Sequence, residues 1–217
     1  MSDIFQEVDE EVRREKLKQL WERHSNLIVA LALLVMLAVG GWRGYEWWET
    51  TKAAESGTQF EAAIKLAEDG KQAEAQAAFA KVAQDGSSGY RILARFREAA
   101  ELAKTDPAGA AKLYASLAAD SSLDRALRDL AAVREGLILV DTAPLAELTA
   151  KLEPLTAADR PFRHTARELL ALAAWRTGDK AAAKRWFELI ATDAETPAGT
   201  RQRIDVLMTL SGDKAKT

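Results

Sequence analysis

Acid–base or metal chemistry in this chain would have to pass through two histidines, His24 and His164, or through carboxylates, because there is no cysteine. Histidine titrates nearest neutral pH, but as a general base it needs a third group to orient it. His164 lies in Arg160-Pro161-Phe162-Arg163-His164-x2-Arg167. On one helix Arg160, His164 and Arg167 would share a face. Arg160, Arg163 and Arg167 would then form a basic stripe for an acidic partner, with a solvated helix surface as the plainer reading. No third group is spaced to make His164 a base, and His24 flanks an apolar run, where a surface role fits. Glu98, Glu101 and Asp106 alternate with Lys104, as solubility requires. No G-x-S-x-G, H-E-x-x-H, GxxxxGK[ST] or G-x-G-x-x-G motif occurs. The expectation is a non-enzyme without catalytic, cofactor-binding or metal residues, with no cofactor and no small-molecule substrate.

The elements that would carry these residues are helical. Ala, Leu, Glu, Lys and Arg dominate, and β-branched and aromatic residues are sparse. Net charge is -3, from 30 basic and 33 acidic residues, and residues 49–217 are near neutral with 24 basic and 25 acidic. Nucleic acid needs a basic face to neutralise phosphates, so it is excluded as a partner. The lack of cysteine permits an oxidising compartment without requiring one.

Leu27 to Trp42, LIVALALLVMLAVGGW, carries no charge. At ~1.5 Å per residue it spans about 24 Å, and its flanks complete a crossing of about 30 Å. Trp21 precedes the run; Trp42, Arg43, Tyr45, Trp47 and Trp48 close it. Indoles and tyrosines gather at membrane interfaces because each has an apolar body and a polar tip. A buried core helix would not collect such residues at both ends. A cleaved signal peptide has Ala38-Val39-Gly40 in its favour, but the acid-rich amino-terminal segment and bulky Trp42 oppose it. An uncleaved signal anchor is the expectation. Five Lys/Arg precede the span (Arg13, Arg14, Lys16, Lys18, Arg23), against Arg43 and Lys52 after it. That bias orients the amino terminus to the cytoplasm. Before the span, Ile4, Phe5, Val8, Val12, Leu17, Leu20 and Trp21 approximate one apolar helix stripe. It would either dock on a partner or lie on the membrane. Gly40, Gly41 and Gly44 allow close packing on a membrane partner or a plain lipid-facing helix.

Beyond the span, Gly70, Asp106-Pro107 and Gly178-Asp179 each interrupt a pair of helical segments. Asp106 with Pro107, and Thr196 with Pro197, read as helix starts, and Asp159 as the cap of a helix near Arg160. The second helices repeat a small-x3-large pattern: Ala75 with Phe79, Ala110 with Tyr114, Ala183 with Phe187, and a degenerate Pro144 with Leu148. Phe79, Tyr114, Leu148 and Phe187 are separated by 35, 34 and 39 residues. This period resembles the tetratricopeptide signature, in which the small residue lets paired helices approach and the aromatic fills the gap. Trp175 and Trp186 are expected in the core. The fold expected is therefore all-α, a single N-terminal transmembrane helix followed by a TPR-like helical-repeat (α-solenoid) domain. Its divisions are 1–24 (cytoplasmic amphipathic segment), 25–48 (transmembrane signal anchor), 49–210 (repeat domain) and 211–217 (polar, frayed tail).

Leu17-Lys18-x2-Trp21, the apolar run, Gly41-Trp42-Arg43-x-Tyr45-x-Trp47 and the Ala-rich helices with Phe60 and Phe79 together resemble the YfgM-type family. The resemblance implies an ancillary subunit of the Sec translocon in a bacterial inner membrane, with a periplasmic TPR-like domain. It implies SecYEG and a membrane-anchored periplasmic chaperone as partners, with translocated proteins as clients. The function expected is thus a protein-interaction subunit, adaptor- or chaperone-like. Two alternatives stand beside it: an envelope stress regulatory interaction protein, and a periplasmic scaffold for cell-envelope assembly.

Overall fold

A computed structural model describes residues 3–210; within them, side chains are placed from Arg13 onward except at 16, 17, 19, 20, 23 and 210. The side chains of the stripe from Ile4 to Leu20, and the whole of the tail 211–217, therefore lie outside what is described. Among those described, every regular element is a helix. By contact the chain divides into Met1–Ala54 and Glu55–Thr217, so the compact repeat unit starts at Glu55 where the sequence suggests residue 49.

In the first unit, α1 (Asp3–Glu68) runs unbroken through the apolar stretch. It is long and apolar enough to cross a membrane by length and composition. Every residue from Leu27 to Trp42 is exposed, and a continuous apolar surface of this size needs an apolar partner. Trp21, Trp42, Tyr45, Trp47 and Trp48 are also exposed, Trp42 and Trp47 at 71%. Arg43 pairs with Glu46 at 3.2 Å. Lys52 lies over the Trp48 ring, 5.4 Å from its centroid. These contacts suit an interface where the rings need polar neighbours.

In the second unit, the end of α1 is followed by α2 (Gln72–Asp85), α3 (Ser88–Leu102), α4 (Pro107–Ala119), α5 (Arg125–Leu139) and α6 (Leu145–Leu152). A 3₁₀ turn (Glu153–Leu155), α7 (Arg163–Thr177), α8 (Lys180–Thr192) and α9 (Ala198–Leu210) complete it. From α2 on, each helix packs on the next in chain order, with shortcuts between α5 and α7 and between α7 and α9. This nearest-neighbour plan is that of a helical solenoid.

Punctuation in the sequence accounts for the helix ends. Gly70 and Gly178 hold φ of 76° and 75°, the left-handed region that only glycine occupies at little cost. Asp106, Asp124 and Asp179 accept hydrogen bonds from the backbone of Gly109, Leu127 and Ala182, at 2.8–2.9 Å, starting α4, α5 and α8. One expected start differs. Asp159 caps nothing: α7 begins at Arg163, and Asp159 pairs with Arg125 at 2.9 Å. Pro161 is the reason, since the residue before a proline is driven out of helical conformation. The last helix does start just past Thr196-Pro197, at Ala198, while Thr196 is buried and its hydroxyl donates to the Ile190 carbonyl at 2.8 Å, tying the α8–α9 turn.

The core comprises three apolar clusters along the array. Phe60, Ala63, Ala75, Phe79, Val82 and Ala94 form the first. Ala99, Tyr114, Leu117, Leu123 and Ala131 form the second. The third runs from Val133 to Ile204 and holds Leu148, Ala183, Trp186 and Phe187. The repeat-packing residues Ala75, Phe79, Ala110, Tyr114, Leu148, Ala183 and Phe187 are all buried. Trp175 departs from expectation: it is 43% exposed, while Trp186 is buried.

Candidate protein-interaction surface

The basic stripe read from the sequence does not face outward. Arg160 lies ahead of α7, and its Nη1 donates to both carboxylate oxygens of Asp129 at 2.9 and 3.1 Å. Arg163 bonds Asp193 at 3.3 Å and also Glu195. Arg167 donates to Asp193 at 2.7 Å and to the Thr156 carbonyl at 2.9 Å. His164 Nδ1 is 3.3 Å from the Thr196 hydroxyl and 3.9 Å from Asp193. Burial, then the charge of Arg163, pushes the His164 pKa down. All three arginines are therefore spent on carboxylates of the chain itself. Among the described residues no cluster of His, Cys, Asp and Glu could hold a metal ion.

Asp193 is the hub of this network. Hydrogen bonds from Arg167, from the Glu195 backbone and from Arg163 hold its carboxyl down to about 2. A depressed carboxyl pKa contributes stability above the unfolded value of about 4, lost as pH falls toward the folded value. Stability is therefore expected to decline between about pH 4 and 2, and Asp193→Asn to flatten that decline. Asp120, also held to about 2 by Ser122 and Arg95, carries part of what remains. Urea midpoints measured against pH on the variant and the parent test this; parallel slopes would contradict it.

Exposed surface comes instead from the first helix of each pair. Helices α3, α5 and α7 have 15 residues each, so equivalent positions can be counted from their starts. The twelfth position is Ala99, Gly136 and Ala174, all buried. A Cβ on Gly136 would come within 2.9 Å of Leu152 and 3.3 Å of Leu169, so α5 approaches α6 and α7 too closely for a larger residue. On the opposite side, Arg97 and Arg134 share the tenth position, and Leu137 and Trp175 the thirteenth. These four are exposed, as is Leu93. An apolar row interleaved with arginines is a surface suited to another polypeptide.

A concavity opens on the other side of α5. It is a cleft of about 430 Å³ between α4, α5, the 3₁₀ turn and Arg160. Beside it, α6 has 8 residues where α2 and α4 have 14 and 13. Lys151 of α6 reaches in to pair with Glu135 at 2.7 Å. A further cleft of about 520 Å³ lies between α2, α3 and the turn after α4.

The profile of the tetratricopeptide repeat-like domain matches residues 18–207. The chain belongs to this tetratricopeptide repeat-like family. Comparison with curated proteins and with solved structures gave no match. A tetratricopeptide repeat-like domain is a protein-interaction module, and no catalytic family is indicated. Within that family pattern, α2, α4, α6 and α8 are the second helices that the sequence spacing marks. The first-helix signal passed unnoticed, although Ala99, Gly136 and Ala174 recur at 37 and 38 residues. So did the exposed arginines, Arg97 and Arg134, 37 apart.

Proposed function

We propose that the chain is a membrane-anchored adaptor of the Sec translocon that helps pass translocated polypeptides to periplasmic folding factors. Its amino terminus is cytoplasmic and its repeat unit periplasmic. The observation that carries the reading is α1 itself, which holds the exposed apolar stretch and, in its last turns, Phe60 and Ala63 of the first repeat cluster. The Lys/Arg bias before the span supports the orientation. The juxtamembrane likeness at residues 17–48 supports the translocon as partner. Tethering keeps the repeats near the membrane, where short linkers raise effective concentrations to about the mM range, so weak contacts suffice.

Photocrosslinkers placed at Trp42, Tyr45 and Leu137 in native cells test this. Adducts to the translocation channel from the first two, and to a periplasmic chaperone or client from Leu137, are expected. Adducts confined to envelope-assembly proteins would favour the scaffold reading and overturn the adaptor.

A further inference from the structure

The cleft beside α5 has an unbalanced charge at its wall. Its lining carries four cations, Arg125, Arg128, Lys151 and Arg160, against two carboxylates, Asp129 and Glu135. Arg160 is engaged by Asp129, and Lys151 by Glu135 with Glu147 at 3.9 Å. Arg125 reaches the exposed Asp159 at 2.9 Å, a surface pair that water and salt weaken. Arg128 alone among these cations has no carboxylate partner in the described residues, and its Nε is shut from solvent without an acceptor. Burial of Nε strips part of the hydration from this guanidinium. An incoming anion therefore gains more at Arg128 than at a fully wet arginine.

The rest of the lining says what brings the anion. Ala115, Ala118 and Ala119 of α4 and Ala132 of α5 form a shallow apolar shelf beside Arg128. A small free anion would leave that shelf unused and would remain half in water, where screening removes most of its attraction. A nucleic acid needs many cations in a row, and here one is unpaired.

We propose that this cleft docks an extended acidic segment of a partner polypeptide. One Asp or Glu carboxylate accepts from Arg128 and displaces Asp159 from Arg125, while small neighbouring side chains lie on the alanine shelf. The inference rests on the protein-interaction reading and adds a second contact surface, on the opposite side of α5 from Leu137 and Arg134.

The test uses the full chain in zwitterionic detergent micelles and a short acetylated, amidated, fluorescein-labelled peptide of alternating Asp and Ala. Fluorescence anisotropy should show binding that Arg128→Gln weakens by about tenfold, the scale of one charge-assisted hydrogen bond. Arg128→Lys should fall between, and Lys81→Gln, exposed on α2 and remote from the cleft, should change nothing. Arg128→Gln orphans no carboxylate, so its helical circular dichroism should match the parent. The Asn-for-Asp peptide should not bind. No binding to the parent chain, equal binding by Arg128→Gln, equal loss in Lys81→Gln, or displacement by inorganic phosphate at matching concentration would each overturn the proposal. The outcome is independent of the translocon: missing channel adducts would leave a positive peptide result standing, and the reverse holds.

Discussion

Phe79→Ala is expected to destabilise the first repeat by about 3–5 kcal/mol, the cost of deleting a well-packed aromatic and leaving a cavity. Phe79 is 1% exposed. Its ring meets Phe60 of α1 edge-on with centroids 5.3 Å apart, and Phe60 in turn lies 5.6 Å from Tyr90 of α3. The deletion thus removes both apolar burial and an aromatic pair at the joint of three helices. What distinguishes a repeat array from a globular core is where the damage stops. The cluster containing Phe79 shares no buried residue with the cluster running from Val133 to Ile204. Energies in such arrays add through neighbouring interfaces, so loss of one end need not melt the other. Amide exchange on the full chain in micelles should show protection lost in α2 and α3 and retained in α7 and α8. Uniform loss along the chain would mean that the clusters unfold as one body.

The same nearest-neighbour packing explains which parts were legible in the sequence. Ala75 with Phe79, Ala110 with Tyr114 and Ala183 with Phe187 could be recognised because each second helix must present a small residue to its partner and a large one to the gap. That demand returns every repeat, so it leaves a period. The ion pairs leave none. Arg160 and Asp129 are 31 residues apart, and nothing local in the sequence joins them. The stripe Arg160, His164, Arg167 failed because it presumed one helix through Pro161, and the residue before a proline resists helical conformation. Trp175 resembled core by residue type alone. Its place is set by helix register: it shares the thirteenth position with exposed Leu137, one residue past buried Ala174 and Gly136. The cleft was invisible because its lining joins residues as far apart as Ala115 and Arg160, beside a short α6. Pro144 at the N-cap fixes where that helix starts, and the 3₁₀ turn with Pro154 ends it after two turns.

Arg160→Met should lower stability by about 3–5 kcal/mol, although Arg160 lies outside any helix. The reason is what it leaves behind. Asp129 is 5% exposed on α5, and Arg160 supplies both of its charged contacts. Removing the cation strands a carboxylate in a poorly solvated site, which costs more than the pair contributed when intact. The opposite expectation holds for Arg125, whose pair with Asp159 is more than half exposed on both sides: Arg125→Met should cost at most about 1 kcal/mol. A second substitution separates the two terms. Arg160→Met combined with Asp129→Leu removes the stranded charge and should recover most of the loss, as buried pairs replaced by apolar residues often do. Urea unfolding of the full chain in micelles, followed by circular dichroism, measures all three. If Arg160→Met unfolds with Arg125→Met, Asp129 is not held by this bond. If the double variant stays as unstable as the single, the segment from Thr156 to Phe162 depends on the arginine for its shape, and the cleft wall it forms would collapse with it.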